Sequence, residues 1–451
     1  MQPNGRLWSR PYLYPIVSIM CLAFIIEIFP YFTTDCTGQK IADTNFDTRE
    51  PVLKSDRSLW YETPELLIAS KVLPEDLIMG ENYQVVGKLT TTVTGSITYG
   101  YTNRFKIIST FGNFVAPSQD MVRILVQEIK AIAILREIRK KREFNDALEQ
   151  AGKSSFSAAQ DLILHPPDTA TGIPLGEWRF LSHSGEIITG SNDILEKEEN
   201  DILAGFSKLK RRYAYKLGVD VYSRNKELQR VLNSVTWAGF ASGVGVSLLS
   251  DSLDSTENMV IERSPFLAEI DGIILDSTPD DLQRINREKL KQMGVEDSLI
   301  EKFLANPKFS PRQRTIIVHV LTNMGKVKNR GIYIQQSLTA SHEELAFLHQ
   351  RKAEMMYDYH KNVSPILEII PIGESGVVGL CSDQTIVAIL PLDQIYWTEL
   401  TDLFITETLG LFKSPDYSVK QFKICVSGKF SSRAKMILSE AGITLKEHVR
   451  Y

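Results

Sequence analysis

Residues 12–32, YLYPIVSIMCLAFIIEIFPYF, constrain this chain most, because a run this apolar cannot lie on a water-facing surface. The run is about as long as the roughly 20 residues a helix needs to cross a bilayer, and Glu27 is its single charge. Arg6 and Arg10 precede it, while Asp35, Asp43 and Asp47 follow. The positive-inside rule then holds the N-terminus in the cytoplasm and exports the remainder. Residues 1–36 therefore read as a signal peptide or a transmembrane anchor. The most apolar part, 16–26, is short enough for a signal-peptide core, yet no A-x-A cleavage site follows it. Cys36 is preceded by Thr33, Thr34 and Asp35, without the small residue that a lipid-attachment cysteine follows. The bland alternative is a buried core helix.

With 451 residues, the chain has length for about two to four domains. Hydrophobic residues make up 43% and charged residues 24%, which is globular rather than disordered composition. A net charge of −4 provides no global attraction to nucleic acid. The partners implied are the membrane, through residues 12–32, and a protein of the cell envelope; nucleic acid is excluded and the oligomeric state is left open. The four cysteines, Cys21, Cys36, Cys381 and Cys425, form no C-x-x-C pair, which removes zinc-ribbon and thioredoxin-like readings. Cys381 and Cys425 fall in predicted strands, where export permits a disulfide and burial as small hydrophobes is the alternative.

The fold class expected is α+β: an N-terminal membrane segment, an antiparallel β-meander with a long helix, a central mostly helical region and a C-terminal small α/β domain. Residues 37–58 are polar, acidic and aperiodic, a flexible tether. Residues 59–151 form the first body. Within it, 83–115 is rich in Val, Ile, Thr, Tyr and Phe and punctuated by Gly87, Gly95, Gly100 and Gly112, which predicts a meander of about three strands. Pro117 and Ser118 stop the sheet, and Val122, Leu125, Ile129 and Ile132 predict one amphipathic helix over 119–150. Its tail, 136–142, has five basic residues in seven, suited to anionic lipid or to a solvated face.

Residues 152–275 read as a linker followed by amphipathic and glycine-rich helices. The proline- and glycine-rich stretch 152–190 is a wrapping loop in which His165 and His183 lack ligand spacing. The helix over 192–217 sets Phe206, Leu209, Tyr213 and Leu217 on one face, with Lys208, Lys210, Arg211 and Arg212 around it. Residues 228–249 contain Gly239 and Gly243 in a G-x-x-x-G, read first as a tightly packed core helix and second as a further membrane span. Gly243-Val244-Gly245 is half of a dinucleotide fingerprint without its third glycine, so no cofactor is expected.

Residues 276–362 are a helical region. Thr278, Pro279 and Asp281 start one helix, Asp297 caps the next, Ser310-Pro311 starts a third, and Ser341 with Glu344 forms a capping box for a fourth. Arg312 and Arg314 are too few for a phosphate-backbone face. His342, His349, His360, Glu354 and Asp358 lie on the last helix with no two histidines at i, i+4, so no metal is expected. Residues 363–451 form the C-terminal α/β domain, three short apolar strands and then helix, strand, helix, strand.

That last strand-helix-strand is loosely similar to nucleases of the restriction-endonuclease type, whose chemistry needs carboxylates and a lysine on adjacent strands. The candidate carboxylates are Asp383, Asp393 and Glu447 beside Lys446, but the strand TIVAIL between the two aspartates is wholly apolar. No G-x-S-x-G, H-E-x-x-H or Walker loop occurs, so catalytic residues are not readable from motifs.

Several stretches carry a resemblance: STFGNF at 109–114 with Gln127, Glu128 and Ile129, LGVDVY at 217–222, FLANPKFSPRQRT at 303–315, LPLDQIYWT at 390–398 and VSGKF at 426–430. On these the chain resembles an uncharacterised group of exported bacterial envelope proteins that carry an N-terminal signal and have no assigned activity. The resemblance implies an envelope location and a shared fold, and it transfers no functional residue. The function expected is a membrane-tethered or exported envelope protein acting as a structural or binding module. The alternatives are an exported hydrolase whose site the motifs do not reveal, and a membrane-active protein using residues 228–249.

Overall fold

A computed structural model describes residues 60–63, 73–92, 101–152, 197–249, 265–373, 376–411 and 414–449. All belong to the unit Thr48–Tyr451. The expected membrane segment at 12–32, the tether at 37–58 and nearly all of the loop at 152–190 lie outside the described residues. The fold is mixed α+β with two sheets.

A short helix, α1 (Glu75–Ile78), leads into the first sheet through β1 (Met79–Gly80). The expected meander follows as β2 (Tyr83–Thr92), β3 (Tyr101–Ser109) and β4 (Gly112–Ala116), all antiparallel. Gly112, at φ +130°, closes the β3–β4 turn, and Ser109 Oγ donates to its carbonyl at 2.8 Å. Alternation along β3 buries Phe105 and Ile107 completely against Val122, Val126 and Ile129 of the next helix.

That helix is α2 (Gln119–Lys140), with Ser118 Oγ accepting from the Met121 N–H at 3.1 Å. The single helix predicted to residue 150 is in fact two. Lys141 takes an extended backbone, φ −74° and ψ 152°, and α3 (Arg142–Gly152) starts anew. Arg139, Lys140, Lys141 and Arg142 are consecutive cations at the break. The bend brings Phe144 and Ala147 into the main core, which a straight helix would carry past it. Tertiary burial outweighs a continuous helical ladder here.

Helix α4 (Lys197–Leu217) buries Phe206, Leu209, Tyr213 and Leu217 as expected. It also buries Lys210 and Arg211, so the basic ring predicted around it is not wholly solvated. Helix α5 (Lys226–Ala241) ends eight residues short of the span 228–249. Gly243 and Gly245 adopt φ +73° and +63°, a left-handed exit that takes Gly243 off the helix face shared with Gly239. Gly239 faces Tyr213: a Cβ there would sit 2.5 Å from the tyrosine hydroxyl, which donates to the Gly245 carbonyl at 2.6 Å. Among the described residues no helix is long and apolar enough to cross a membrane.

The helical region contains α6 (Pro265–Asp276), α7 (Pro279–Gln292), α8 (Asp297–Ala305), α9 (Pro311–Asn323), α10 (Arg330–Ser337) and α11 (Glu343–Asn362). Capping boxes at Thr278–Asp281 and Ser310–Gln313 start α7 and α9. Two start sites differ from expectation. Glu296, not Asp297, occupies the α8 cap, and His342, not Ser341, caps α11 through Nδ1 to the Leu345 N–H. Helix α10 was not foreseen, because Gly331 and the left-handed Asn329 hide its start.

The chain closes with β5 (Ile366–Ile372), β6 (Gly376–Cys381), β7 (Thr385–Leu390), β8 (Gln394–Ile395), α12 (Glu399–Gly410), β9 (Gln421–Val426), β10 (Lys429–Phe430), α13 (Ser432–Glu440) and β11 (Thr444–Lys446). The second sheet has the order β11-β9-β7-β6-β5, antiparallel from β5 to β7 and parallel from β7 to β11. The ends of β7 and β9 run on as β8 and β10, a parallel pair that joins the first sheet where Gln394 meets Tyr101. The first sheet thus takes strands from both 59–151 and 363–451. Cys381 and Cys425 are buried free thiols on β6 and β9, with β7 between them. Non-adjacent strands are roughly 9.5 Å apart, beyond the ~7 Å a disulfide tolerates.

Candidate functional site

The C-terminal edge of a parallel sheet is where open α/β proteins hold ligands. Here that edge is built over by β8 and β10. The Gly428 N–H donates to the Leu392 carbonyl at 2.8 Å, and a Cβ on Gly428 would lie 1.9 Å from the Asp393 carbonyl oxygen. A concave site lies elsewhere among the described residues. A cleft of about 630 Å³ opens between β4, α2, α4, the 218–225 turn, α6 and the N-terminal turns of α9 and α11, a volume suited to a small molecule.

Each wall is positioned locally. Gly218, at φ +65°, ends α4 and turns the chain into the segment 219–225. Asp220 Oδ1 accepts from the Tyr222 N–H at 2.9 Å, and Asn225 Oδ1 accepts the Glu227 and Leu228 N–H groups, both at 3.2 Å, to start α5. Glu128, 3% exposed, reaches this turn from α2. It accepts a short hydrogen bond from Ser223 Oγ and one from Asn225 Nδ2 at 3.0 Å. Gln127 Nε2 donates to the Leu217 carbonyl at 2.9 Å. Two adjacent α2 residues thereby tie the turn to the helix.

On the opposite wall, Arg312 reaches Asp271 of α6 through Nε at 3.2 Å and Nη2 at 2.9 Å. Burial acts to lower the Arg312 pKa, but Asp271, Asp220 and Glu354 outweigh it and the net shift is upward. One turn further along α6, Arg211 Nε donates to the Leu275 carbonyl at 3.1 Å. Burial lowers the Arg211 pKa against the pull of Tyr222, Asp276 and Asp281, and burial raises that of Tyr222. At the α11 end, Arg224 pairs with Glu343, and Arg104 pairs with Glu344 at 2.5 Å. Among the described residues no histidine or cysteine lines the cleft.

The carboxylates considered for nuclease chemistry and the histidines of α11 are not among the residues that line it. Asp383 accepts from the Thr385 N–H at 3.0 Å, Asp393 from the Asn103 and Gln119 N–H groups, and Glu447 from the Phe430 N–H and Lys435. Each nuclease-like carboxylate therefore serves a turn, a helix start or a strand end. His349 is buried beside Tyr333, whose hydroxyl donates to the His349 carbonyl at 2.6 Å, and burial with Lys352 nearby pushes its pKa to about 3. His360 Nδ1 accepts from the Ile366 N–H at 3.0 Å. Among the described residues no group of three or more His, Cys, Asp or Glu is placed to hold a metal ion.

Sequence reasoning missed Ser223 and Asp271 and read Arg211 only as part of the basic ring around α4, because each becomes a cleft residue only through contacts between elements distant in the chain. One signal was present. Gln127-Glu128, the 217–222 stretch and Lys308 to Gln313, noted above as separate segments, meet along this cleft. Comparison with family models, with curated proteins and with solved structures finds no match.

Proposed function

We propose that the protein is a membrane-tethered or exported envelope protein that works by binding, with the cleft as its ligand site. The observation that carries the reading is the convergence of the α2, 218–225, α6 and α9 side chains on one concave surface whose polar groups hold each other in place. A site fixed by its own hydrogen bonds is preorganised for a ligand, which lowers the ordering cost of binding. Residues 12–32 supply the anchor or signal, with the body on the exported side. The shared fold of exported envelope proteins, an N-terminal membrane segment followed by meander, helical region and α/β domain, belongs to the same reading.

Fractionation of producing cells, with mass spectrometry of the product's N-terminus, tests the location. An intact chain that resists salt extraction from the membrane supports the tether, and a product beginning near residues 33 to 40 supports secretion. An intact chain in the cytosolic fraction overturns both.

The alternative, an exported hydrolase, has one contact in its favour. Ser223 Oγ donates to the buried Glu128 carboxylate within the cleft, the relation between a hydroxyl nucleophile and a base. The same hydroxyl also accepts from the Asn225 N–H at 3.1 Å, which suits a turn fixture better. Ester hydrolysis by the wild-type chain that Ser223→Ala abolishes would favour the enzyme.

A further inference from the structure

We propose that Arg211 anchors an oxyanion and that the cleft takes small amphiphilic anions, with one phosphate or carboxylate group on an apolar or aromatic body; this rests on the cleft being a binding site.

Arg211 is 5% exposed and lines the cleft, yet its Nη1 has no hydrogen-bond partner among the described residues. A guanidinium stays charged in proteins, and a buried charge short of hydrogen bonds is costly. Such a group is explained when a ligand completes it. The acids of the cleft are already engaged: Glu128 by Ser223 and Asn225, Asp271 by Arg312, Asp220 by the Tyr222 N–H, Glu343 by Arg224 and Glu344 by Arg104. Asp276 and Asp281 act on Arg211 electrostatically without a hydrogen bond to its Nη1, and the Asp281 carboxylate is held by Thr278 and Arg284. Arg312 stands one turn away along α6, so a second guanidinium faces the same wall.

The body of the ligand is read from the cleft's rim. Val115, Ile124 and Tyr215 are 56%, 38% and 38% exposed, and all three border the cleft. Exposed apolar side chains gathered at a concave site mark the surface a ligand covers. An oxyanion on Arg211 and an apolar body on this rim account for both features. The guanidinium fork suits either a carboxylate or a phosphate.

The test is calorimetric titration of the full chain with phenyl phosphate, benzoate, benzyl alcohol and inorganic phosphate, for the wild type, Arg211→Met, Arg211→Lys and Ile124→Asp. At least one aromatic anion binds the wild type, and the tighter of phenyl phosphate and benzoate names the head group. Arg211→Met weakens that anion about 10- to 100-fold, the range for a charge-assisted hydrogen bond, and leaves benzyl alcohol unchanged. Arg211→Lys retains part of the affinity, and keeps the test valid if the methionine variant fails to fold. Ile124→Asp weakens the aromatic probes more than inorganic phosphate. Equal anion affinity in wild type and both Arg211 variants overturns the oxyanion assignment while leaving the cleft as a binding site. Absence of binding for all four probes overturns both.

Discussion

The Asp393 carboxylate accepts the backbone N–H of Asn103 at 2.7 Å, across 290 positions of the chain. It also accepts the Gln119 N–H at 3.1 Å, at the first turn of α2. One buried side chain, following β7, therefore holds β3 and caps the long helix that forms one wall of the cleft. A negative charge at a helix N-terminus is favourable, and hydrogen bonds to a charged acceptor are worth about 1.5–3 kcal/mol each. Asp393→Ala is expected to lower stability by about 3 kcal/mol or more, read as a shift of the urea midpoint. An unchanged midpoint would show that the carboxylate is a bystander.

Gly428 marks the crossing where β9 passes into β10. Its φ is not positive, so what requires glycine is space: an added Cβ would lie 1.9 Å from the Asp393 carbonyl oxygen. Gly428→Ala must push apart the backbone pairing of 392–393 with 428–429. Forced overpacking of this kind costs about 3 kcal/mol, and a fall in the thermal midpoint measures it. If Gly428→Ala melts with the wild type, the close approach is wrong.

Two buried groups on α11 predict the pH profile. His349 titrates at about 3 in the folded chain, through burial and then Lys352, against an ordinary value of 6.5. Between those values the unfolded chain binds the extra proton, so stability is fully present above about pH 6.5 and falls as pH drops toward 3. Lys352, whose Nζ donates to the Val377 carbonyl at 3.1 Å, is lowered by burial from 10.5 to about 7. Its share of stability is therefore smallest below about pH 7 and rises toward 10.5. Each group contributes a slope of up to about 1.4 kcal/mol per pH unit. His349→Gln should flatten the acid limb and Lys352→Met the alkaline limb in denaturation curves taken from about pH 4 to about pH 9. Lys210, lowered by burial to about 7, leaves some alkaline slope in Lys352→Met.

Glu62 secures the first described residues to the C-terminal body. Its Oε2 accepts from the Trp397 N–H at 2.6 Å and Ser431 Oγ at 2.5 Å, and its own N–H donates to the Trp397 carbonyl at 2.8 Å. Glu62→Ala removes the two side-chain bonds that hold residues 60–63 against Trp397 and Ser431. Faster limited proteolysis near residues 60–63, with global stability lowered by no more than about 2 kcal/mol, is the expected result. Cleavage at the wild-type rate would assign the attachment to other contacts.

The meander, the apolar faces of α2 and α4, and the strand-helix rhythm of 363–451 were legible in the sequence, because period-2 and period-3.6 burial are local codes. So were the starts of α7 and α9, where Thr278 and Ser310 meet an acceptor three residues on. The break at Lys141 was not, since only the burial of Phe144 and Ala147 in the core repays the lost helical bonds. Nor was the left-handed exit at Gly243, where a sequence pattern for close helix packing is the end of a helix.

Residues 12–32, the eliminations of motif chemistry and the amphipathic elements follow from the chain alone, because hydropathy and spacing act between near neighbours. The role of Asp393, the joining of the two sheets through β8 and β10, and the cleft around Arg211 are decided only in three dimensions. Each depends on groups tens to hundreds of positions apart. A buried carboxylate or guanidinium acquires its meaning from what is brought against it, and that is set by how the helices and sheets pack.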